Sequence, residues 1–376
     1  MSQRLGRAIE LTQQMVSFPS VSDRSNVEVS QFVADRLVEM GFTVEWLTYE
    51  DDEKVPKVCV VAKRGAGVGG VAYLAHTDVV PAEDWELDFS GAFHGYQKDN
   101  RLYGRGTCDM KGSLATALTA AANVKNEQPL YFVVTSDEEV GMRGASYVNQ
   151  NSKFFEEMVT NDTMGIVGEP TELQVIHAHK GAESFAIVAK GISAHTSTNC
   201  GVNANYKLIP ALSSFLELRN KAEANPMYHD KDFDPPTLSW NMTISNEPEA
   251  VNVTTSMAKL INFFRAMPAV DHQPILDEVL RICEQYGLEC QTKYSARPWS
   301  VDPQSDFVVK MLELAEQQRS YSVCYATDAG VLQRLRRMVI CGPGSIQQAH
   351  RCDEWISLDQ LHRGVELYEK AFITRW

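Results

Sequence analysis

The sequence predicts an α/β protein: a mixed, largely parallel sheet flanked by helices, interrupted by an inserted α+β domain of ferredoxin-like order. Three observations lead there. Runs such as Val71–Ala75 are apolar on both faces and turn polar only at the carboxyl end, as buried parallel strands do. Polar groups follow in steps of 33, 30 and 30 residues, at His76, Asp109, Glu139 and Glu169, and about 30 residues is one βαβ unit. From about His177 the pattern becomes strand, helix, strand, strand, helix, strand. A chain of 376 residues also exceeds a single compact core. The expected division is a host domain of residues 1–176 and 291–376 around an insertion of residues 177–290.

Taken in order, Leu5–Ser17 places Leu5, Ala8, Ile9, Met15 and Val16 largely on one helical face. Asn26–Met40 is a second helix, stopped by Gly41. Phe42–Tyr49, Val58–Ala62 and Val71–Ala75 read as strands. The glycines of Gly104-Arg105-Gly106 lead through Asp109 into a small-residue helix, Ser113–Val124. Leu130–Thr135 and Met164–Val167 are further apolar strands. The insertion holds strands Glu183–Lys190, Thr237–Ser245, Ser256–Met267 and Cys290–Ser295, with helices Asn203–Leu218 and Gln273–Tyr286. Helix Phe307–Gln317, strand Met338–Cys341 and helix Leu358–Phe372 complete the host.

Net charge is −14, without a block of like charges, which excludes nucleic acid and anionic membrane as natural partners. Eight scattered cysteines without a Cys-x-x-Cys pair argue against a disulfide framework and for a reducing compartment. Met1–Ser20 lacks the apolar core of a signal peptide, and no run of about 18 apolar residues occurs. A cytoplasmic enzyme is expected.

The chemistry gathers at the strand ends. His76 and Asp78 point the same way from an extended chain, as a metal ligand and the carboxylate that orients it. Asp109, Glu139, Glu169 and, after the last short strand, His350 fall at the same sheet edge. Mixed imidazole and carboxylate donors suit zinc, cobalt or manganese. Five ligands are too many for one open tetrahedral site, but fit two divalent ions that share a carboxylate. If Glu139 is the ligand, Glu138 is left as a base. Cys108 reads as packed, and His177 and His179 as structural.

These segments resemble the M20 family of zinc peptidases and deacylases. The resemblance rests on His76-Thr77-Asp78, Gly106-Thr107-Cys108-Asp109-Met110-Lys111-Gly112, Ser136-Asp137-Glu138-Glu139, Gly168-Glu169-Pro170-Thr171 and the His350 loop. It implies that His76 and Glu169 bind one metal, Glu139 and His350 the other, and that Asp109 bridges both. It further implies that Asp78 orients His76 and that Glu138 is the general base. His195 would then be a lid histidine serving a partner subunit's site, in a homodimer formed through the lid. Asn252, Arg265 and Gly344 would bind substrate. Within the family, the stretch from Gly342 to Trp355 most resembles the acetylornithine deacetylases, whereas Thr327-Asp328-Ala329 departs from their usual Thr-Glu-Ala. The implied reaction is hydrolysis of an N-acyl amino acid, N-acetylornithine first, in arginine biosynthesis. Succinyl-diaminopimelate, N-acetylcitrulline and dipeptides stay open as substrates. So do a catalytically silent binding protein and, with Lys111 and Arg105 close by, a two-metal phosphoesterase.

Overall fold

The structure is a computed structural model that describes residues 3–125 and 127–376. The chain forms two compact units. One comprises Met1–His177, Ser300–Tyr321 and Thr327–Trp376, and the other Ala178–Trp299 and Ser322–Ala326.

In the larger unit the sheet runs Thr43–Glu50, Pro56–Arg64, Leu130–Thr135, Val71–His76, Met164–Pro170, Arg337–Gly342. The last four are mutually parallel, and the first two are antiparallel additions. Every residue of the three central strands is buried, because helices cover both faces. Side chains at alternate positions (Val58 and Val60, Tyr73 and Ala75, Phe132 and Val134) pack against helices Gln3–Val16, Val27–Glu39, Lys111–Asn123 and Leu358–Ile373. On the opposite face lies helix Arg143–Asn151, whose Gly144 approaches the Cys59 sulfur. This helix and the next, Lys153–Thr160, are absent from the sequence reading. The first is rich in Asn and Ser, and the second is a short helix capped by Ser152, whose Oγ accepts the Phe155 N–H.

Register decides where the chemistry lands. His76 is opposite Thr135, and Gly342 opposite Pro170, so the turns after these strands meet at one edge. Close packing there selects glycine before Glu169: a Cβ on Gly168 would lie 1.9 Å from the Tyr73 hydroxyl. A separate three-stranded sheet of Tyr96–Lys98, Arg101–Tyr103 and Trp355–Ser357 ties two loops of the same unit together.

The smaller unit has an antiparallel sheet in the order Asn241–Glu247, Met257–Phe264, Ala182–Lys190, Glu289–Ala296. Helices Asn205–Ala224 and Gln273–Tyr286 supply Leu208, Phe215, Ile275, Val279 and Ile282 to a core with Phe185, Ile187, Leu260 and Phe264. The chain order is the ferredoxin-like one. The expected boundary at residue 290 is displaced: Glu289–Ala296 pairs with Ala182–Lys190, so the unit runs on to Trp299. The first strand after the helix also starts later than expected, at Asn241 rather than Thr237.

Candidate metal centre

The strand Val71–His76 delivers His76, whose Nδ1–H donates to the main-chain oxygen of Asp78 at 2.9 Å. That bond turns Nε2 toward the carboxylates, where it donates to Asp109 Oδ1 at 3.1 Å and stands 3.8 Å from Glu169 Oε1. Asp78 thus steadies the ring mainly through its carbonyl, since its carboxylate stands 3.6 Å from Nδ1. The carboxylate has other work: Oδ1 accepts the Glu138 N–H (3.2 Å), and Oδ2 accepts the Glu139 N–H (3.3 Å) and the Ser22 hydroxyl (2.7 Å). It therefore pins the turn that carries the glutamate pair.

Asp109 stands immediately before helix Lys111–Asn123. One of its oxygens faces His76, and the other lies 3.3 Å from His350 Nε2. The same His350 nitrogen lies 3.0 Å from Glu139 Oε2. The structure thus joins the five expected ligands in one chain of contacts, Glu169–His76–Asp109–His350–Glu139. Donor atoms of His76, Asp109 and Glu139 all fall within 4.8 Å of one another. Among the described residues neither imidazole pairs with Glu138.

Electrostatics fits the same centre for a cation. Asp78, Asp109, Glu169 and Asp328 are buried, with Glu138 and Glu139 half-buried beside them. Taken alone, these side chains compensate by holding protons. Burial and the charge of Glu169 push the Glu138 carboxyl well up, and burial and Asp109 do the same to Glu169. Burial would raise Asp109 too, but contacts with His350 and His76 outweigh it and hold this carboxyl low. His350 is pushed up to about 10 by Asp109 and Glu139. Six carboxyls against two imidazoles make a donor set that a divalent ion satisfies without those protons.

The nearby cations are committed elsewhere. Lys111 is fully buried, donates to Phe18 O at 2.8 Å, and is pushed down to about 7 by burial. Arg105 donates to Glu354 and to Arg351 O, both at 3.0 Å. Neither is presented to a phosphate, so the phosphoesterase alternative loses its support. Cys108 is packed: its thiol donates to Ser345 O at 3.2 Å, and burial pushes it well above its ordinary value.

Gly344 has a structural reason for being glycine. Its φ is +96°, and a Cβ there would lie 2.7 Å from the Cys108 sulfur.

In the smaller unit, His195 is exposed, and its Nδ1 lies 2.7 Å from the Ser197 hydroxyl and 3.2 Å from the Ser197 main-chain nitrogen. Asn252 O accepts the Thr196 N–H at 3.1 Å and holds that loop. Arg265 lies elsewhere, half-buried with its guanidinium 4.9 Å from the Phe263 ring centre. Asn252 precedes and Arg265 follows the eight-residue strand Met257–Phe264. At about 3.3 Å per residue that strand spans about 26 Å.

Residues outside the expected set also shape the centre. Asp137 pairs with buried Lys57 at 2.8 Å and accepts the Tyr49 hydroxyl at 2.8 Å, fixing the turn before Glu138. Asp328 accepts the Thr135 hydroxyl at 2.6 Å. Burial, partly offset by Thr135 and His76, pushes its carboxyl from 3.8 up to about 6. The folded chain therefore holds this proton more tightly than the unfolded one. The resulting stabilisation is complete below about 3.8 and lost as pH rises through about 6. The gap corresponds to about 3 kcal/mol by pH 8. D328N keeps an oxygen for Thr135, so in chelator-treated protein it is expected to raise Tm more at pH 8 than at pH 5. An equal change at both pH values in a thermal scan counts against this assignment.

All eight cysteines are free, and among the described residues no helix is long and apolar enough to cross a membrane.

Residues 72–374 match peptidase family M20/M25/M40. The chain is 32% identical to an acetylornithine deacetylase of Photorhabdus laumondii subsp. laumondii and 33% identical to one of Pectobacterium carotovorum subsp. carotovorum. Each alignment covers 95% of this chain and 94% of the relative. In fold it is similar to the di-peptidase Dug1p of Saccharomyces cerevisiae, with a TM-score of 0.77 at 14% identity over 98% of this chain and 97% of that one. A dinuclear metal binding peptidase from the M20 family of Bacillus subtilis superposes with a TM-score of 0.61 at 17% identity, over 98% and 97%. A family match over most of the chain, in a range that takes in all the strand-end residues of this centre, places the protein in peptidase family M20/M25/M40.

Proposed function

We propose that this hydrolase is a dinuclear zinc amidohydrolase that removes the acyl group from an N-acyl amino acid, N-acetylornithine above all. The observation that carries the reading is Asp109, with one oxygen toward His76 and the other toward His350. His76 and Glu169 would hold one ion, Glu139 and His350 the other, and Asp109 both. Two such ions polarise an amide carbonyl and make water a nucleophile at neutral pH. Glu138, left out of the imidazole contacts, takes the proton from the attacking water and passes it to the departing amine nitrogen. One water is consumed, and acetate and the free amino acid leave.

The substrate follows from the relatives named acetylornithine deacetylase, at 32–33% identity along nearly the whole chain. With it come a cytoplasmic setting and a place in arginine biosynthesis. Asp328, in the segment that departs from the acetylornithine deacetylase pattern, keeps neighbouring specificities in view. The test is a hydrolysis screen with N-acetylornithine, N-acetylcitrulline, N-succinyl-diaminopimelate and dipeptides, with zinc, cobalt or manganese added. Highest kcat/KM on any other member overturns the substrate assignment. No turnover of any of them, with two ions bound, favours the silent binding protein.

The separation of Asn252 from Arg265 supports a site completed by two chains. In this reading the lid forms a homodimer, and His195 donates its Nε2–H to the oxyanion in the partner's site. Two inactive homodimers, E138Q and H195A, unfolded and refolded together in equal amounts, should give mixed dimers for half the population. Each mixed dimer has one site with both groups intact, so activity should return to about a quarter of wild type. Verified subunit exchange without regained activity refutes the trans role.

A further inference from the structure

We propose that Glu354 is a positioning residue that locks the Asp109 loop to the His350 loop and thereby sets the metal position made by Asp109, Glu139 and His350. The proposal rests on the dinuclear reading above and assigns a role to a side chain that touches neither metal nor substrate.

The carboxylate of Glu354 is buried and fully engaged. Oε1 accepts the main-chain N–H of Cys108 (2.8 Å) and of Asp109 (3.1 Å). Oε2 accepts the Gly106 N–H (2.9 Å) and the Arg105 guanidinium (3.0 Å). Four donors meet the four lone-pair positions of one carboxylate. Three of them are amides of a single loop, gathered around the anion as in a backbone nest. The clamp therefore fixes the peptide of Asp109 itself.

The other half of the lock leads to His350. Its ring is half-exposed, and its backbone is in the left-handed region at φ +63°, so little local packing holds it. Its loop is fastened from outside instead. The Arg105 group that pairs with Glu354 also donates to Arg351 O at 3.0 Å, one residue past the ligand. Glu354 O accepts the Gly104 N–H at 3.0 Å, and the next residue, Trp355, pairs with Tyr103. Asp109 and His350 come from loops about 240 residues apart in sequence, and Glu354 with Arg105 binds each to the other. His76 and Glu169 arrive on the strands Val71–His76 and Met164–Pro170, so of the first ion's ligands only Asp109 depends on this lock, whereas Asp109 and His350 both do for the second.

The test is E354Q, which keeps the shape but turns an amide NH₂ toward backbone N–H donors. Calorimetric titration of chelator-treated protein with Co²⁺ should show the second ion weakened about 10–100-fold, the usual effect of losing a ligand's supporting partner, and the first markedly less, since only one of its three ligands depends on the lock. In the metal-free protein, hydrogen exchange should accelerate at Gly106, Cys108 and Asp109 but not along Leu130–Thr135. Equal weakening of both ions points to a general structural role and overturns the proposal, as does wild-type affinity for both. Should E354Q fail to fold, R105K, which keeps the charge but whose shorter side chain withdraws the one nitrogen, Nη1, that serves both Glu354 and Arg351 O, carries the same measurements. Wild-type protein that takes up fewer than two ions overturns the dinuclear reading itself. Exchange alone then decides the lock, and unchanged exchange at the three amides overturns it too.

Discussion

Glu138→Gln is expected to keep the full metal content and to lower kcat by about 10²–10⁴, the usual contribution of a general base. The expectation depends on telling Glu138 from Glu139, which the sequence alone leaves as adjacent, equivalent carboxylates. The structure separates them by their partners. Both main-chain N–H groups are held by one carboxylate, Asp78, which fixes the direction of the turn. From that turn Glu139 reaches His350 at 3.0 Å, while neither imidazole pairs with Glu138. Glutamine matches the shape of Glu138 but accepts no proton, so the attacking water and the leaving amine both lose their relay. KM should change little, because the group handles protons rather than the substrate's binding contacts. Metal analysis beside steady-state kinetics checks this. Loss of an ion together with activity would exchange the roles of the two glutamates.

The same pair marks how far the sequence can be read. The parallel strands are legible because each is buried on both faces, so an unbroken apolar run ends abruptly in chemistry, as Val71–Ala75 does at His76. Spacing near one βαβ unit then puts the ligand candidates at one edge without any contact being known. What stays hidden is whatever depends on partners remote in sequence. Glu354 falls in the stretch Gly342–Trp355 without a role of its own in the sequence, yet its carboxylate binds amides more than two hundred residues earlier. The carbonyl of Asp78, rather than its carboxylate, steadies His76, a distinction that side-chain identity cannot carry. Three-residue strands such as Arg101–Tyr103 give no periodic signal at all.

Dialysis against a chelator is expected to abolish hydrolysis altogether, and addition of zinc or cobalt to restore it. Total loss, rather than a partial one, follows from the shortage of any other nucleophile in this centre. Cys108 is next to Asp109, but its thiol is buried, donates to Ser345 O, and is held well above the range in which a thiolate forms. Ser113 and Tyr73 hydrogen-bond each other at 2.6 Å and are fully buried. Lys111, pushed down to about 7, is tied to Phe18 O. Water is what remains, and without a cation burial pushes the carboxyls of Glu138 and Glu169 well up, helped at Glu138 by the charge of Glu169 and at Glu169 by that of Asp109. A base that already holds its proton cannot take another, so chelation removes the activated nucleophile and disables the relay together. Residual activity in metal-free protein, confirmed by elemental analysis, would point to a protein nucleophile. C108A would then separate the cases: it should leave the metal-loaded enzyme active if water attacks, and kill it if Cys108 does.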